Sequence, residues 1–253
     1  MASVTQRIRM IKQPFGGYIN PKLFSKELLN DNKETKSLYP AENIHASLIG
    51  LTVDYLTRTI ISQNPVLSFN ISIRGASLIG EEIRAINKAM LVNNLEDEAI
   101  TLACQLAGYD VLFRAGPTYY KPVDEIIPDS NTIENIRIMV KRSLAFFEKY
   151  GPVISEGFTF SGGYTDIVDA GDGDFITKDT LWDFKVLSSE PTKDHTLQLI
   201  MYLLMGKRSV HKEFNNIKKI GIFNPRKNIV YTLNIETIPK EIIEEIEKKV
   251  IGY

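Results

Sequence analysis

The chain reads as α/β, with a mainly helical first half followed by a central mixed β-sheet flanked by helices. Three observations predict this. Apolar residues recur at helical period through much of residues 1–150; the period shortens toward strand-like alternation from Pro152 onward; and the later strands are interrupted by one helix that permits a parallel crossover. The 253 residues, 43% hydrophobic and 24% charged, are enough for one large core or two small ones. One domain over 1–253 is expected, with a helical portion over 1–150 and an αβ portion over 151–253.

The elements follow in order. Pro21 opens a short amphipathic helix to residue 29, with proline at an early helical position. Residues 41–62 form the best early helix, since Ile44, Leu48, Leu51, Val53, Tyr55, Leu56 and Ile60 recur near helical period and Asn64-Pro65 stops it. Further helices are expected over 78–92 and 96–114. Pro117, Pro122 and Pro128 make 115–131 a loop or arm. Residues 132–149 return to helix, with Ile136, Met139, Val140, Leu144 and Phe147 as the apolar stripe. Strands are expected over 152–160 and 164–170, separated by the turn signal Ser161-Gly162-Gly163. Gly171-Asp172-Gly173-Asp174 reads as the next turn and 180–187 as a third strand. A helix over 193–205 turns Leu197, Ile200, Met201 and Leu204 inward. Strands over 217–223 and 229–233 flank Asn224-Pro225-Arg226-Lys227-Asn228, and a helix over 240–250 carries Glu and Lys outward.

Composition excludes several classes. A net charge of -1 provides no global basic field. The single cysteine, Cys104, rules out an internal disulfide, a cysteine-rich zinc site and an iron–sulfur cluster; its apolar neighbours predict a buried, inert thiol. Residues 1–13 lack the apolar run of a signal peptide, and no run is long enough to cross a bilayer, so a cytoplasmic protein without membrane association is expected. Phosphate-loop, zinc-protease and nucleophile-elbow motifs are missing. Asp169, Asp172, Asp174 and Asp179 do not follow the calcium-loop order, and turn chemistry accounts for most of them.

The chemistry concentrates between residues 156 and 202. Alternation along a strand puts Asp183 and Lys185 on one face and Trp182, Phe184 and Val186 on the other. Asp166 shares a face with Tyr164 and Val168, and a twisted hairpin would bring it beside Asp183. Two converging carboxylates repel, and a hard divalent cation, Mg2+ or Mn2+, resolves that repulsion with oxygen ligands, water and substrate phosphate. Such an ion activates water and offsets phosphate charge, while a lysine alongside orients or deprotonates the water. Gln198 and Tyr202, four residues apart, share one face of an otherwise apolar helix. Hydrogen bonding to the sheet edge is the plain alternative for them.

Gly163-x-x-Asp166, Asp183-x-Lys185 and Gln198-x-x-x-Tyr202 together resemble the RecB-like branch of the PD-(D/E)xK nuclease superfamily, over residues 156–202 and onward to 233 through the later strand pair. The resemblance implies a restriction-endonuclease-like core and metal-dependent hydrolysis of nucleic acid, usually DNA. It implies Asp166, Asp183 and the Phe184 carbonyl as metal ligands, Lys185 in catalysis, and Gln198 with Tyr202 positioning the site. Relatives add a His or Glu from an early helix, where this chain has Asp54, with His45 upstream; Glu156 corresponds to an acid that some relatives carry on the first strand. Beyond the motifs, Lys207, Arg208, Lys212, Lys218, Lys219, Arg226 and Lys227 form a candidate patch for a DNA backbone, or a solvated surface. Tyr119 and Tyr120 beside Lys121 stack on bases or simply pack, and His195 is either a substrate contact or a cap. Three functions stay open: a Mg2+-dependent deoxyribonuclease, a nuclease-fold module that binds nucleic acid without cutting, and a non-enzymatic interaction protein with structural acids.

Overall fold

The computed structural model describes residues 1–29 and 37–253. In chain order its elements are β1 (Ala2–Ser3), α1 (Val4–Met10), β2 (Ser25–Leu28), α2 (Ala46–Ser62), α3 (Pro65–Ser68), α4 (Asn70–Ser77), α5 (Glu82–Met90), α6 (Asp97–Gly108), α7 (Asp110–Ala115), α8 (Ser130–Tyr150), β3 (Ser155–Thr159), β4 (Val168–Ala170), β5 (Asp172–Ile176), β6 (Thr180–Phe184), α9 (Lys193–Arg208), β7 (Lys219–Asn224), β8 (Ile229–Asn234) and α10 (Lys240–Glu245). The chain divides into two compact units, one made of Met1–Leu29 with Phe146–Tyr253 and the other within 30–145. The first 29 residues therefore belong with the sheet and not with the helical half.

The sheet unit is α/β. Its main sheet has six strands in the order β2-β8-β7-β6-β5-β3. β6 and β7 pair parallel across the α9 crossover, and every other neighbouring pair is antiparallel. Three local expectations change. The segment expected as a helix over 21–29 makes only a short 3-10 turn, Pro21–Leu23, and then becomes edge strand β2, paired with β8. Lys26 and Glu27 on that edge discourage further strand addition. The stretch 164–170 supplies only β4, which pairs parallel with β1 in a separate two-stranded sheet. Residues 171–174, expected as a turn, run into β5, and the turn to β6 closes later, where Thr177 N–H donates to the Thr180 carbonyl at 3.0 Å.

Both faces of the sheet are covered. On one, Ile176, Leu181, Ile220, Ile222 and Leu233 pack with α9. That helix is buried continuously from Thr196 to Gly206, because α1 and the C-terminal residues Ile246, Val250 and Ile251 belong to the same core. Its apolar residues therefore extend all round rather than along one stripe. On the other face Trp182 meets Phe146, the two rings 4.9 Å apart and edge to face, and donates from Nε1 to Thr177 at 2.9 Å. Phe146 also stacks on Phe223 at 4.4 Å and Tyr150 at 4.9 Å. Gly221 leaves room for this cluster: a Cβ there would lie 2.3 Å from the Trp182 ring.

In the helical unit the expected helix over 41–62 is α2, and His45 caps it by accepting from Ser47 N–H at 3.2 Å. The expected helix over 78–92 is α5, shortened to Glu82–Met90 because Gly80 takes a left-handed φ of 76° ahead of it. Residues 96–114 form two helices, α6 and α7. Asp110, at the start of α7, is buried and accepts from Tyr55 at 2.5 Å, Ser72 at 2.6 Å and Arg114 at 3.3 Å. Burial raises its pKa, opposed by those three partners. Cys104 is buried in α6, and burial pushes its thiol up to about 12, as an inert thiol requires.

Two substitutions test this packing. Phe146→Ala empties the centre of the aromatic cluster and is expected to cost about 3–5 kcal/mol by urea denaturation. Asp110→Ala strands two buried hydroxyls and is expected to cost about 2–4 kcal/mol.

Candidate active site

The site forms where the β5–β6 ladder stops. Phe175 pairs with Trp182 and Ile176 with Leu181, and the same register puts Asp174 opposite Asp183. Residues directly opposite in an antiparallel pair share a face, so the two carboxylates lie side by side. The main-chain pairing has ended at this point, and the Asp174 side chain takes the place of the missing carbonyl by accepting from Phe184 N–H at 2.7 Å. On the other side of β5 the opposing residue is Gly157, which has a left-handed φ of 58° and brings no side chain against Asp174. Beyond Asp183, β6 stays anchored to β7, with Lys185 N–H donating to the Phe223 carbonyl at 3.0 Å. Asn224 then holds the following loop through Leu187, accepting at 3.3 Å and donating at 2.9 Å.

The Asp183 side chain is only 2% exposed and that of Lys185 is 24% exposed. Lys185 Nζ bonds Asp183 Oδ1 at 2.9 Å, while Asp183 Oδ2 is buried with no hydrogen-bond partner. Burial, then the neighbouring Asp174, push the Asp183 carboxyl up to about 7, with Lys185 opposing them. Burial disfavours the Lys185 ammonium, but the charges of Asp183 and Asp174 outweigh it and hold its pKa above the ordinary lysine range. From α9, buried Gln198 donates to Tyr202 Oη at 2.7 Å, and the Tyr202 ring stacks on Phe160 at 4.9 Å. Burial, then the charge of Asp183, push the Tyr202 hydroxyl above the ordinary tyrosine range, opposed by the Gln198 bond and the Lys185 charge. His195 completes the cap of α9, its Nδ1 accepting from Thr192 N–H at 2.9 Å. Burial and the Lys185 charge lower its pKa, which keeps the ring neutral near pH 7.

No family model, curated protein or solved structure matches this chain. The functional reading therefore rests on the residues themselves.

Several expected site residues lie elsewhere. Asp166 sits exposed on a bend ahead of β4, outside the main sheet, and the acid beside Asp183 is Asp174. Gly163 precedes the same bend and packs against the end of α9, where a Cβ would fall 2.0 Å from the Met205 carbonyl oxygen. The missed signal was present: Gly171-x-x-Asp174 repeats the spacing of Gly163-x-x-Asp166 and stands nearer to β6. Glu156 is exposed and pairs with Phe175, on the Trp182 face of the sheet rather than the Asp183 face, so it is no ligand of this pair. Asp54 belongs to the helical unit and is bonded to Arg58 at 2.9 Å. Tyr120 stacks on Tyr109 at 6.2 Å, while Tyr119 is exposed.

The basic run also disperses. Lys207 and Arg208 end α9, and Arg208 is tied to Glu247 at 2.6 Å and lies 3.9 Å from the Tyr253 ring centre. Lys212 is exposed in the 3-10 turn Lys212–Asn216. Lys219 pairs with Thr180, and Lys218 precedes it, at the far end of β6 from Asp183. Arg226 and Lys227 lie in the β7–β8 turn, where Lys227 bonds Glu190 at 3.1 Å.

Among the described residues no three His, Cys, Asp or Glu side chains gather as a metal-binding group. The donor set nonetheless fits a hard divalent cation: two adjacent carboxylates, one with a buried free oxygen, and the Phe184 carbonyl next to it in the chain. Without a cation the pair is a strain on the fold. Asp183 favours folding most below the unfolded carboxyl pKa of about 4, and that contribution is lost as pH rises through about 7. Asp174→Asn keeps an acceptor for Phe184 N–H and removes the like charge. At pH 8 without divalent ions it is expected to raise stability by about 1 kcal/mol and to abolish any rise in Tm on adding Mg2+. A lower Tm for this variant in EDTA would contradict like-charge strain.

Proposed function

We propose that this chain is a metal-dependent nuclease that hydrolyses phosphodiester bonds of DNA, with a restriction-endonuclease-like core and the RecB-like motif set in the form Asp174, Asp183, Lys185, Gln198 and Tyr202. One observation carries the proposal: Asp183 is buried within hydrogen-bond reach of a second carboxylate, with an oxygen that no neighbouring donor satisfies and a lysine bonded to its other oxygen. A purely structural acid would have its oxygens satisfied, as Asp110 does in the helical unit.

In this proposal Asp174, Asp183 and the Phe184 carbonyl hold Mg2+ or Mn2+. The cation supplies an activated water and charge stabilisation for the phosphate. Lys185, partly open to solvent beside Asp183, donates to a phosphate oxygen or steers the attacking water. Its raised pKa keeps it protonated at neutral pH, which favours the donor role over that of a base. Gln198 positions the Tyr202 hydroxyl, and the capped start of α9 fixes both along the carboxylate edge.

Incubation with linear duplex, circular and single-stranded DNA, with Mg2+, Mn2+ or EDTA, tests the proposal. Cleavage is expected only with metal, with losses of at least about 100-fold in Asp174→Ala, Asp183→Ala and Lys185→Ala. Asp166→Ala, altered at the exposed bend, should cut at the wild-type rate. DNA binding without metal-dependent cleavage would instead make the chain a non-cutting module.

A further inference from the structure

An exposed aromatic side chain stands on a turn that is tied to the start of α9. Phe15 is 107% exposed, more than any other large hydrophobic residue described. It sits in a turn closed by Gly17 N–H donating to the Pro14 carbonyl at 2.9 Å. Gly17 has φ 89°, and a Cβ there would lie 2.6 Å from Cβ of Lys193, so only glycine lets the turn lie this close to α9. Two further ties fix it: Gln13 donates to Asp194 at 2.6 Å and Thr196 to the Ile19 carbonyl at 2.6 Å. The turn is thus bound to the first residues of the helix that carries Gln198.

Phe15 borders a largely apolar groove of about 470 Å³ whose charged lining consists of Lys22, Lys26, Lys193 and Glu190. Glu190 lies five residues past Lys185, on the loop that leads from the carboxylate pair to α9. It is already engaged by Lys26 at 2.7 Å, Lys227 at 3.1 Å and the Tyr231 hydroxyl at 3.1 Å. Lys22 and Lys193 have no acidic partner among the described residues. The groove therefore offers a wet-faced aromatic plate with two uncommitted cations, which is the chemistry of a flexible polyanion carrying flat rings.

We infer that this groove binds single-stranded DNA, with an unpaired base stacked on Phe15 and adjacent phosphates on Lys22 and Lys193. It takes its ligand class from the nuclease proposal and places part of the strand beside the loop that follows Lys185. Binding is measured by fluorescence anisotropy of a labelled mixed-sequence oligonucleotide in EDTA, so the outcome does not depend on cleavage. Phe15→Ala is expected to weaken binding five-fold or more, with unchanged Tm because the ring buries nothing. Phe15→Trp should bind at near wild-type affinity, and the emission of the introduced indole should be quenched by the oligonucleotide against the constant background of buried Trp182. Lys22→Ala with Lys193→Ala should lower the slope of log affinity against log salt by about 1.4. Wild-type affinity in Phe15→Ala, unquenched emission in Phe15→Trp or an unchanged salt slope overturns the inference even if the chain cuts DNA. These results stand even if the chain shows no nuclease activity, which would sink only the catalytic proposal.

Discussion

Asp183 and Asp174 share one face of neighbouring strands at the point where those strands stop bonding each other. Much of the site follows from that juxtaposition. The end of the ladder frees Phe184 N–H, which Asp174 captures; the side-chain bond then holds one carboxylate in place beside the other. Burial removes the water that would screen the pair, and Lys185 compensates only one oxygen. Natural folds tolerate such a conflict at working sites more readily than in structural cores. Asp110 shows the contrast within the same chain, being equally buried but bonded to two hydroxyls and a guanidinium.

The rest of the sheet unit serves to keep that edge rigid. Trp182 and Phe146 lock the far face of β6, and Gly221 leaves the space their rings fill. On the near face α9 is buried all round, so Gln198 and Tyr202 have little freedom to move relative to the strands. Asn224 ties the loop after Lys185 back to the end of β7. The N-terminal segment adds a second layer, joining through Gln13, Gly17 and Ile19 to the start of the same helix. The first 29 residues thus brace the helix that carries Gln198 and Tyr202.

Much of this was legible in the residues alone. The change of period at Pro152, the crossover helix and the parallel β6–β7 pair it permits appear where the sequence places them; the strand expected over 180–187 is shorter, with Asp183 inside β6 and Lys185 just past its end. The helix face bearing Gln198 and Tyr202 was legible too, because polar residues four apart on an apolar helix stand over one another and need a common polar neighbour. What failed did so for identifiable reasons. Gly171-Asp172-Gly173-Asp174 has turn composition, yet pairing with β3 draws it into β5. Ser25–Leu28 has helical spacing nearby, yet an open sheet edge offers it a full ladder. In both cases long-range hydrogen bonding overrode local preference.

The sequence by itself determined which residue types could do chemistry here, that Asp183 stands on a strand and that Gln198 and Tyr202 share a helix face, since alternation and helical period are local properties of the chain. Only the tertiary structure decided which carboxylate faces Asp183. Two Gly-x-x-Asp segments compete for that place, and strand register, set by contacts far apart in the chain, selects the second. The same holds for the cations: seven that are near neighbours along the chain scatter over two ends of a sheet, while Lys22 and Lys193, 171 residues apart, line one groove.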